Sequence, residues 1–231
     1  MKKIFLISVI LSASIIVNAQ KEFYFGPSYT LGASTILKSN GSMGNMNGSM
    51  MEGSEMNSDL TFTPAYGTGI RLEYFPTWRW GFFFQCGYQQ RGAKFKNYMD
   101  NYDPRYKFNQ CDFNLGGQFR TKGLIKNHQL LVQLGLTQHY LSSASRIYDT
   151  GRDNITDDTR NYDIGIYFGL GVNISIMQKD LIQIIVFTHQ GFTEIFMGNM
   201  AANSMNGRNL LLGVQFSYLI GKNFNTGKKE N

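Results

Sequence analysis

The sequence predicts an all-β protein, an eight-stranded antiparallel up-and-down β-barrel that spans a membrane. Three observations predict this fold. Apolar and polar residues alternate with period two along eight segments. Short and long connections alternate between those segments. Charged residues make up only 16% of the 231 residues, whereas soluble domains carry about 25%. No run of about 18 apolar residues follows position 20, which excludes a helical membrane span.

The first residues have the pattern of an export signal. Lys2 and Lys3 precede an apolar stretch at 4–17, and Ala19 offers a small residue before a cut. We therefore expect a cleaved signal peptide at 1–19, with an uncleaved anchor as the alternative. The barrel is expected at 20–220, followed by a polar periplasmic tail at 221–231.

The alternation is clearest at 161–176, where eight apolar side chains share one face and Gly, Ser, Asn, Asp and Tyr share the other. An α-helix would mix the two sets. The same reasoning gives eight strands, at 22–36, 60–75, 80–95, 105–120, 128–145, 161–177, 181–197 and 208–220. The seventh has the least regular alternation, because 181–187 is nearly all apolar.

The connections indicate how the barrel lies in the membrane. Those at 76–79, 121–127 and 178–180 are short, and those at 37–59, 96–104, 146–160 and 198–207 are longer. Outer-membrane barrels have short periplasmic turns and long external loops. We therefore place the short turns in the periplasm and the long loops outside the cell.

Two further patterns favour a membrane barrel over a soluble one. The polar face of the strands is mostly Gly, Ser, Thr, Asn and Gln, which suits a narrow hydrogen-bonded lumen better than bulk solvent. Aromatic residues are expected as two interfacial girdles. The turn-side girdle would contain Phe23, Tyr74, Phe75, Trp78, Trp80, Phe119 and Tyr218, and the loop-side girdle Tyr88, Tyr98, Tyr102, Tyr106, Tyr140, Tyr148 and Tyr162.

The last predicted strand carries an assembly signal. Gly213, Phe216 and Tyr218 fit a Gly-x-x-aromatic-x-aromatic pattern, although Leu211 stands where a polar residue is usual. Residues 20–220 resemble the small outer-membrane barrels called porin-family or PorT-like, of OmpA/OmpX-type architecture. The resemblance is carried by this last strand, by the expected cut after Asn18-Ala19 and by the eight alternating segments. The resemblance implies export to the outer membrane of a Gram-negative bacterium and recognition by the barrel assembly machinery. It does not imply an activity.

Charged residues on the inward face are the candidate site. They are Arg71, Glu73, Arg91, Asp112, Arg120, His139 and Asp163. Side chains just fill the lumen of an eight-stranded barrel, so buried charges there must be paired. We expect a structural salt-bridge plug and no open pore, with a catalytic or proton-conducting role as the alternative.

Enzyme chemistry is not expected. The three histidines are His128, His139 and His189, and only Ser142 and Ser143 lie near His139 in sequence. Neither Gly-x-Ser-x-Gly nor His-Glu-x-x-His occurs. A barrel acyltransferase, lipase or protease remains the alternative, and no cofactor is expected. A net charge of +6 without clustering disfavours a nucleic-acid partner.

Methionines concentrate in the first and last long loops, which meet outside a closed barrel. They are Met43, Met46, Met50, Met51, Met56, Met197, Met200 and Met205. Thioethers favour Cu(I), and clustered Met also makes an adaptable contact surface. The simpler interpretation is a flexible low-complexity loop. The acidic segment at 149–158 could hold Ca²⁺ but does not match an EF-hand, which favours a solvated loop.

Cys86 and Cys111 are the two cysteines. A hairpin symmetric about 98 and 99 would place them directly opposite each other on the lipid face. A disulfide is permitted in an oxidising compartment, and two lipid-facing thiols are the alternative.

We expect a non-enzymatic integral barrel whose external loops bind an envelope or extracellular partner, with lipid around it. A PorT-like accessory role in secretion, and a small-solute or metal-binding barrel, are the other hypotheses.

Overall fold

The computed structural model describes residues 22–38, 61–94, 105–121, 128–148, 151–176, 180–196 and 207–223. The expected signal peptide, all eight loop methionines, and Tyr98 and Tyr102 lie outside these ranges. The strands are β1 (Glu22–Lys38), β2 (Thr63–Phe75), β3 (Trp80–Lys94), β4 (Arg105–Arg120), β5 (His128–Ile147), β6 (Arg152–Asn154), β7 (Tyr162–Ser175), β8 (Asp180–Glu194) and β9 (Gly207–Asn223).

Eight of these strands close into a barrel. Each pairs antiparallel with its neighbours in the order β1, β2, β3, β4, β5, β7, β8, β9, and β9 pairs again with β1. The short β6 extends from β5 in the loop that precedes β7. The predicted fold class is confirmed. In the described ranges, no helix is both long and apolar enough for a membrane span.

Predicted and observed ends of the eight barrel strands differ by at most three residues. Strand β9 continues to Asn223, beyond the barrel end predicted at 220, because it pairs with β1 as far as Glu22. A bulge on β5 between the partners of Asn109 and Gln110 leaves Ser142 without a direct register partner on β4.

The outward face forms an apolar band. Between the barrel ends, the outward positions of the described strands carry no charged side chain, and large apolar residues such as Leu31, Leu115, Leu136 and Val186 are exposed. In water such a continuous surface would drive association, whereas hydrocarbon solvates it. Each of the eight described barrel strands pairs on both sides, as a strand in lipid requires.

The lumen is filled with side chains, and its apolar part forms three clusters. The turn-end cluster contains Tyr24, Phe75, Leu181 and Leu219. The middle cluster contains Ala65, Phe83, Leu131, Tyr167, Ile185, Phe187 and Leu211. The outer cluster contains Ile36, Ala93, Tyr106, Phe108, Ala144, Ile155, Ile195 and Phe196.

Two predicted girdle residues are placed differently. Phe75 and Tyr106 are buried in the lumen, in the turn-end and outer clusters. Each shares the side-chain parity of inward residues on its own strand, Glu73 on β2 and Phe108 on β4. Parity, and not distance from the strand end, decides which face a strand residue occupies.

The predicted cysteine pairing is wrong by two residues. The β3–β4 register places Cys86 opposite Phe113 and Cys111 opposite Tyr88. Both cysteines are free. A two-residue shift keeps both on the outward face, as predicted, but makes them diagonal neighbours, whose separation of about 7–8 Å is too long for a disulfide.

Candidate functional site in the barrel lumen

All seven charged residues predicted for the lumen are buried there. They do not form a single network but several separate groups along the barrel axis. Each group draws on several strands, because residues two apart on one strand share the lumen while the closed sheet adds neighbours from other strands.

The Arg71 network lies below the middle cluster. Arg71 Nε donates to Glu73 Oε1 at 2.7 Å, and both side chains have no exposed surface. Arg71 Nη1 also donates to Gln85 at 3.2 Å, and Gln183 Nε2 donates to Glu73 Oε1 and to Asn173 Oδ1, both at 2.9 Å. The two glutamines thus add partners to a buried ion pair, but Arg71 Nη2 and Glu73 Oε2 remain buried without a hydrogen-bond partner.

The Arg91 network lies on the outer side of the middle cluster. Arg91 Nη2 donates to Gln89 at 2.7 Å and to Asp112 Oδ2 at 3.2 Å. The other carboxylate oxygen of Asp112 lies 2.7 Å from His139 Nδ1. His189 Nδ1 lies 3.0 Å from the same Arg91 Nη2. Arginine can only donate, so His189 Nδ1 accepts, and its ring is a neutral imidazole in this contact.

His189 belongs to this network, although the sequence placed it only on a strand. The near-continuous apolar run at 181–187 hid the parity of the strand. Residues two apart on a strand share a face, so the polar Gln183 predicts that His189, six residues later, also points into the lumen. Its ring also contacts Tyr167 and Phe187 in the middle cluster, with both pairs of ring centroids 5.1 Å apart.

Arg120 joins the turn end of the barrel. It pairs with Glu22 on β1 and donates to the carbonyl of Trp78. Its guanidinium lies 3.9 Å from the ring centroid of Phe75. The ion pair with Glu22 connects the end of β4 to the first residue of β1 across the lumen.

Asp163 occupies a break in the sheet. Pairing between β7 and β8 begins at Gly165 and Gly191, and the carboxylate of Asp163 takes the place of the missing ladder bond. Its Oδ1 accepts from the Thr193 backbone N–H at 3.0 Å, and its Oδ2 accepts from Asn209 at 3.4 Å. A Cβ at position 191 would lie 2.2 Å from Oδ2, so a side chain there would have to displace the Asp163 carboxylate.

A small pocket opens beside Asp163 at the outer end. Its lining includes Gln110, His139, Asp163, Glu194 and Asn209, and it encloses about 310 Å³, part of which is open solvent. The outer cluster, which includes Phe196 and the loop residue Ile155, is buried at the same end of the lumen.

The groups around His139 lie inside the lumen. Thr137 Oγ1 lies 3.1 Å from His139 Nε2, and Asp112 Oδ1 lies 2.7 Å from Nδ1, the order of a nucleophile, a base and an orienting carboxylate. Thr137 is fully buried and does not line that pocket. Ser143 instead accepts from Asn109 at 2.9 Å.

Within the described ranges, no three His, Cys, Asp or Glu side chains are arranged so that they could hold a metal ion. In the acidic loop, Asp153 accepts from Arg146 at 3.3 Å, and Asp157 and Asp158 are exposed in a single 3-10 turn.

No family model and no curated protein matches the chain. Solved structures do match. The outer membrane protein OprG from Pseudomonas aeruginosa is 13% identical, with a TM-score of 0.51 over 88% of this chain and 96% of that one. Ail of Yersinia pestis is 12% identical, with a TM-score of 0.44 over 87% and 99%. Neisserial surface protein A is 10% identical, with a TM-score of 0.44 over 86% and 96%. The chain has the fold of the small outer-membrane β-barrels.

Proposed function

We propose that the protein is a sealed, non-enzymatic barrel of the Gram-negative outer membrane that acts through its external loops, as a binding surface for an envelope or extracellular partner. The filled lumen carries this proposal. Three apolar clusters and two buried polar networks occupy the barrel interior, so solute passage has no continuous route through the described residues.

The membrane location is supported by the outward band, which carries no charge between the barrel ends. Export by the signal peptide at 1–19 and recognition of the last strand by the assembly machinery belong to the same proposal. Phe216 and Tyr218 of β9 are both outward and exposed, where a lipid-side assembly factor would reach them, and Gly213 lies three residues before Phe216.

The sealed lumen is tested by planar-bilayer recording on the refolded full chain. We expect no stable conductance steps, and also none after Phe196→Ala, because the Arg91 network still fills the barrel below the outer cluster. Regular openings of the unmodified protein at nanosiemens level would overturn the proposal.

The loop function is tested by photo-crosslinking in intact cells. A photoreactive residue at exposed Asp157 samples the outer end, and one at Thr77 samples the turn end. We expect a discrete adduct from position 157 that disappears when residues 41–58 are deleted. Adducts only from position 77, containing secretion components, would instead support the PorT-like accessory role, which rests on the sequence resemblance alone.

A further inference from the structure

The His189 ring makes one hydrogen bond within the described part of the chain, and that bond fixes where its proton lies. Its Nδ1 is 3.0 Å from Arg91 Nη2, where it can only accept. The ring proton therefore lies on Nε2, which is buried and has no hydrogen-bond partner. A second proton would have to bind Nδ1, directly against the guanidinium. Neither N–H of the resulting imidazolium would then have an acceptor.

The surroundings of His189 give a second positive charge no solvation. The residue is 2% exposed, and its register partners, Tyr167 on β7 and Leu211 on β9, have no exposed surface. The β1 partner of Leu211 is the uncharged Ser34. The rings of Tyr167 and Phe187 also pack against the imidazole. Burying an unpaired charge is costly, so the folded barrel keeps this ring neutral.

The charged groups near His189 are bound to other partners. On β4, Asp112 accepts from Arg91 Nη2 at 3.2 Å and lies 2.7 Å from His139 Nδ1. On β7, Asp163 accepts from a backbone N–H of β8 at 3.0 Å. His139 on β5, whose ring centroid is 5.5 Å from that of His189, adds no negative charge. No described carboxylate therefore pairs with His189.

The remaining carboxylate on the outer half of β8 is Glu194, at the end of the strand that carries His189. Glu194 lines the outer pocket, and His189 does not. On the turn side, the middle cluster lies between His189 and the Arg71 network. Arg91 is thus the charged group in direct contact with the His189 ring.

The contact between Arg91 and His189 joins opposite walls of the barrel. Arg91 lies on β3 and His189 on β8, and these strands are four positions apart in both directions around the closed sheet. The other hydrogen bonds of Arg91 go to Gln89 on its own strand and to Asp112 on the neighbouring one. The His189 contact is therefore the one that connects this arginine to the far wall.

We propose that the Arg91–His189 contact is an acid-sensitive latch, and that protonation of His189 Nδ1 by solvent releases it and loosens the outer half of the lumen. An exposed imidazole takes up a proton near pH 6.5. Above this pH, the latched and open states bind the same number of protons at His189. Below it, the open state binds one that the latched state excludes, so stability is lost as the pH falls. The latch requires no loop partner.

Urea titration of the refolded full chain in neutral detergent micelles, at about pH 7.5 and about pH 5, tests the latch. His189→Gln is the informative variant, because its amide oxygen can accept from Arg91 but binds no proton. About 1.5 pH units below 6.5, proton binding favours the open state about 30-fold. We expect acid to raise the unfolding constant about 30-fold more in the unmodified chain than in His189→Gln. Equal responses of the two chains would overturn the proposal.

The matched control is His128→Gln, which removes a histidine at the turn end of β5. It should keep the acid response of the unmodified chain, because the latch is intact. An acid response that survives His189→Gln and disappears in His139→Gln would assign it to the other lumen histidine, and this too would overturn the proposal.

Hydrogen exchange locates the response along the strands. Exchange rates are corrected for the pH dependence of intrinsic exchange and compared at about pH 7.5 and about pH 5. Amides in the outer halves of β3 and β8 should then exchange up to about 30-fold faster in acid, relative to the turn ends, and should show no such change in His189→Gln. Equal acceleration along whole strands would mean global unfolding and would contradict a latch.

Nitrogen NMR of the unmodified chain gives a readout that does not depend on the folding of a variant. At about pH 6, an exposed imidazole is mostly protonated. In the folded barrel, the His189 ring should still carry one proton, on Nε2. A doubly protonated His189 ring in the folded barrel would overturn the proposal.

Discussion

Arg71 and Glu73 form an ion pair within a single strand, at 2.7 Å and with no exposed side-chain surface. They can meet because residues two apart on a strand share a face, and the lumen holds both. Two other strands contribute hydrogen bonds to the pair, from Gln85 on β3 and Gln183 on β8. Arg71 Nη2 and Glu73 Oε2 have no hydrogen-bond partner, so part of the desolvation cost of this buried pair is uncompensated.

Removing one member of this pair should cost more than removing both. Arg71→Met leaves the Glu73 carboxylate buried without its cation, which costs about 3–5 kcal/mol. Arg71→Met/Glu73→Leu removes both charges, so we expect a coupling energy of about 2 kcal/mol in favour of the double variant. Urea titration in detergent micelles, followed by the shift between folded and unfolded bands on unboiled gels, measures all three. Additive losses would contradict the coupling.

A side chain at position 191 should displace the Asp163 carboxylate. An added Cβ would lie 2.2 Å from Asp163 Oδ2, so Gly191→Ala should displace the carboxylate from the Thr193 N–H and lower the free energy of unfolding by about 1–3 kcal/mol. Gly117→Ala is the matched control, because nothing lies within 4 Å of the added methyl group. The same urea titration compares the two. Equal effects would mean that strand propensity, and not the Asp163 contact, determines the cost.

Phe196 should hold the outer end closed. Its ring lies 5.4 Å from Tyr106 and 6.3 Å from Phe108, centroid to centroid, and only 1% of the residue is exposed. Phe196→Ala should destabilise the outer end by about 3–5 kcal/mol. Hydrogen exchange should then accelerate at the outer ends of β4 and β5 and stay unchanged at their turn ends.

The control for that substitution is Phe192→Ala on the same segment, because Phe192 faces outward and is 49% exposed. Its removal takes nothing from the lumen, so exchange at the outer ends of β4 and β5 should stay slow. Uniform acceleration along whole strands in either variant would mean that the outer cluster is not an independent structural unit.

Period-two patterning predicted the eight barrel strands and the burial of all seven lumen charges, because one face of every strand meets lipid and the other meets the lumen. Which charges contact each other was not predictable in this way. The contact of Arg91 with His189 joins residues 98 positions apart, and it depends on the stagger between strands around the closed barrel.

Runs of aromatic residues limited how much of the lumen could be predicted from the sequence. In the run from Phe82 to Phe84, every residue is apolar, so alternation cannot show that Phe83 points inward, where it lies 4.8 Å from Arg71. A lumen with aromatic layers between charged networks therefore looked like a purely polar one in the sequence. The predicted register of β3 against β4 was wrong because the sequence of a long loop contains no tight-turn signal that fixes which residues of the two strands pair.

The cysteines offer a direct test of the observed register. Cys86 lies opposite Phe113, so Phe113→Cys in a Cys111→Ser background should allow oxidation to bridge position 86 to the new thiol at 113. The unmodified chain, whose cysteines are diagonal neighbours, should keep two maleimide-reactive thiols after the same oxidant. Intact mass after alkylation distinguishes the two states. A bridge in the unmodified chain would instead support the symmetric hairpin about 98 and 99, and it would move every outward cation of β4 by two residues relative to β3.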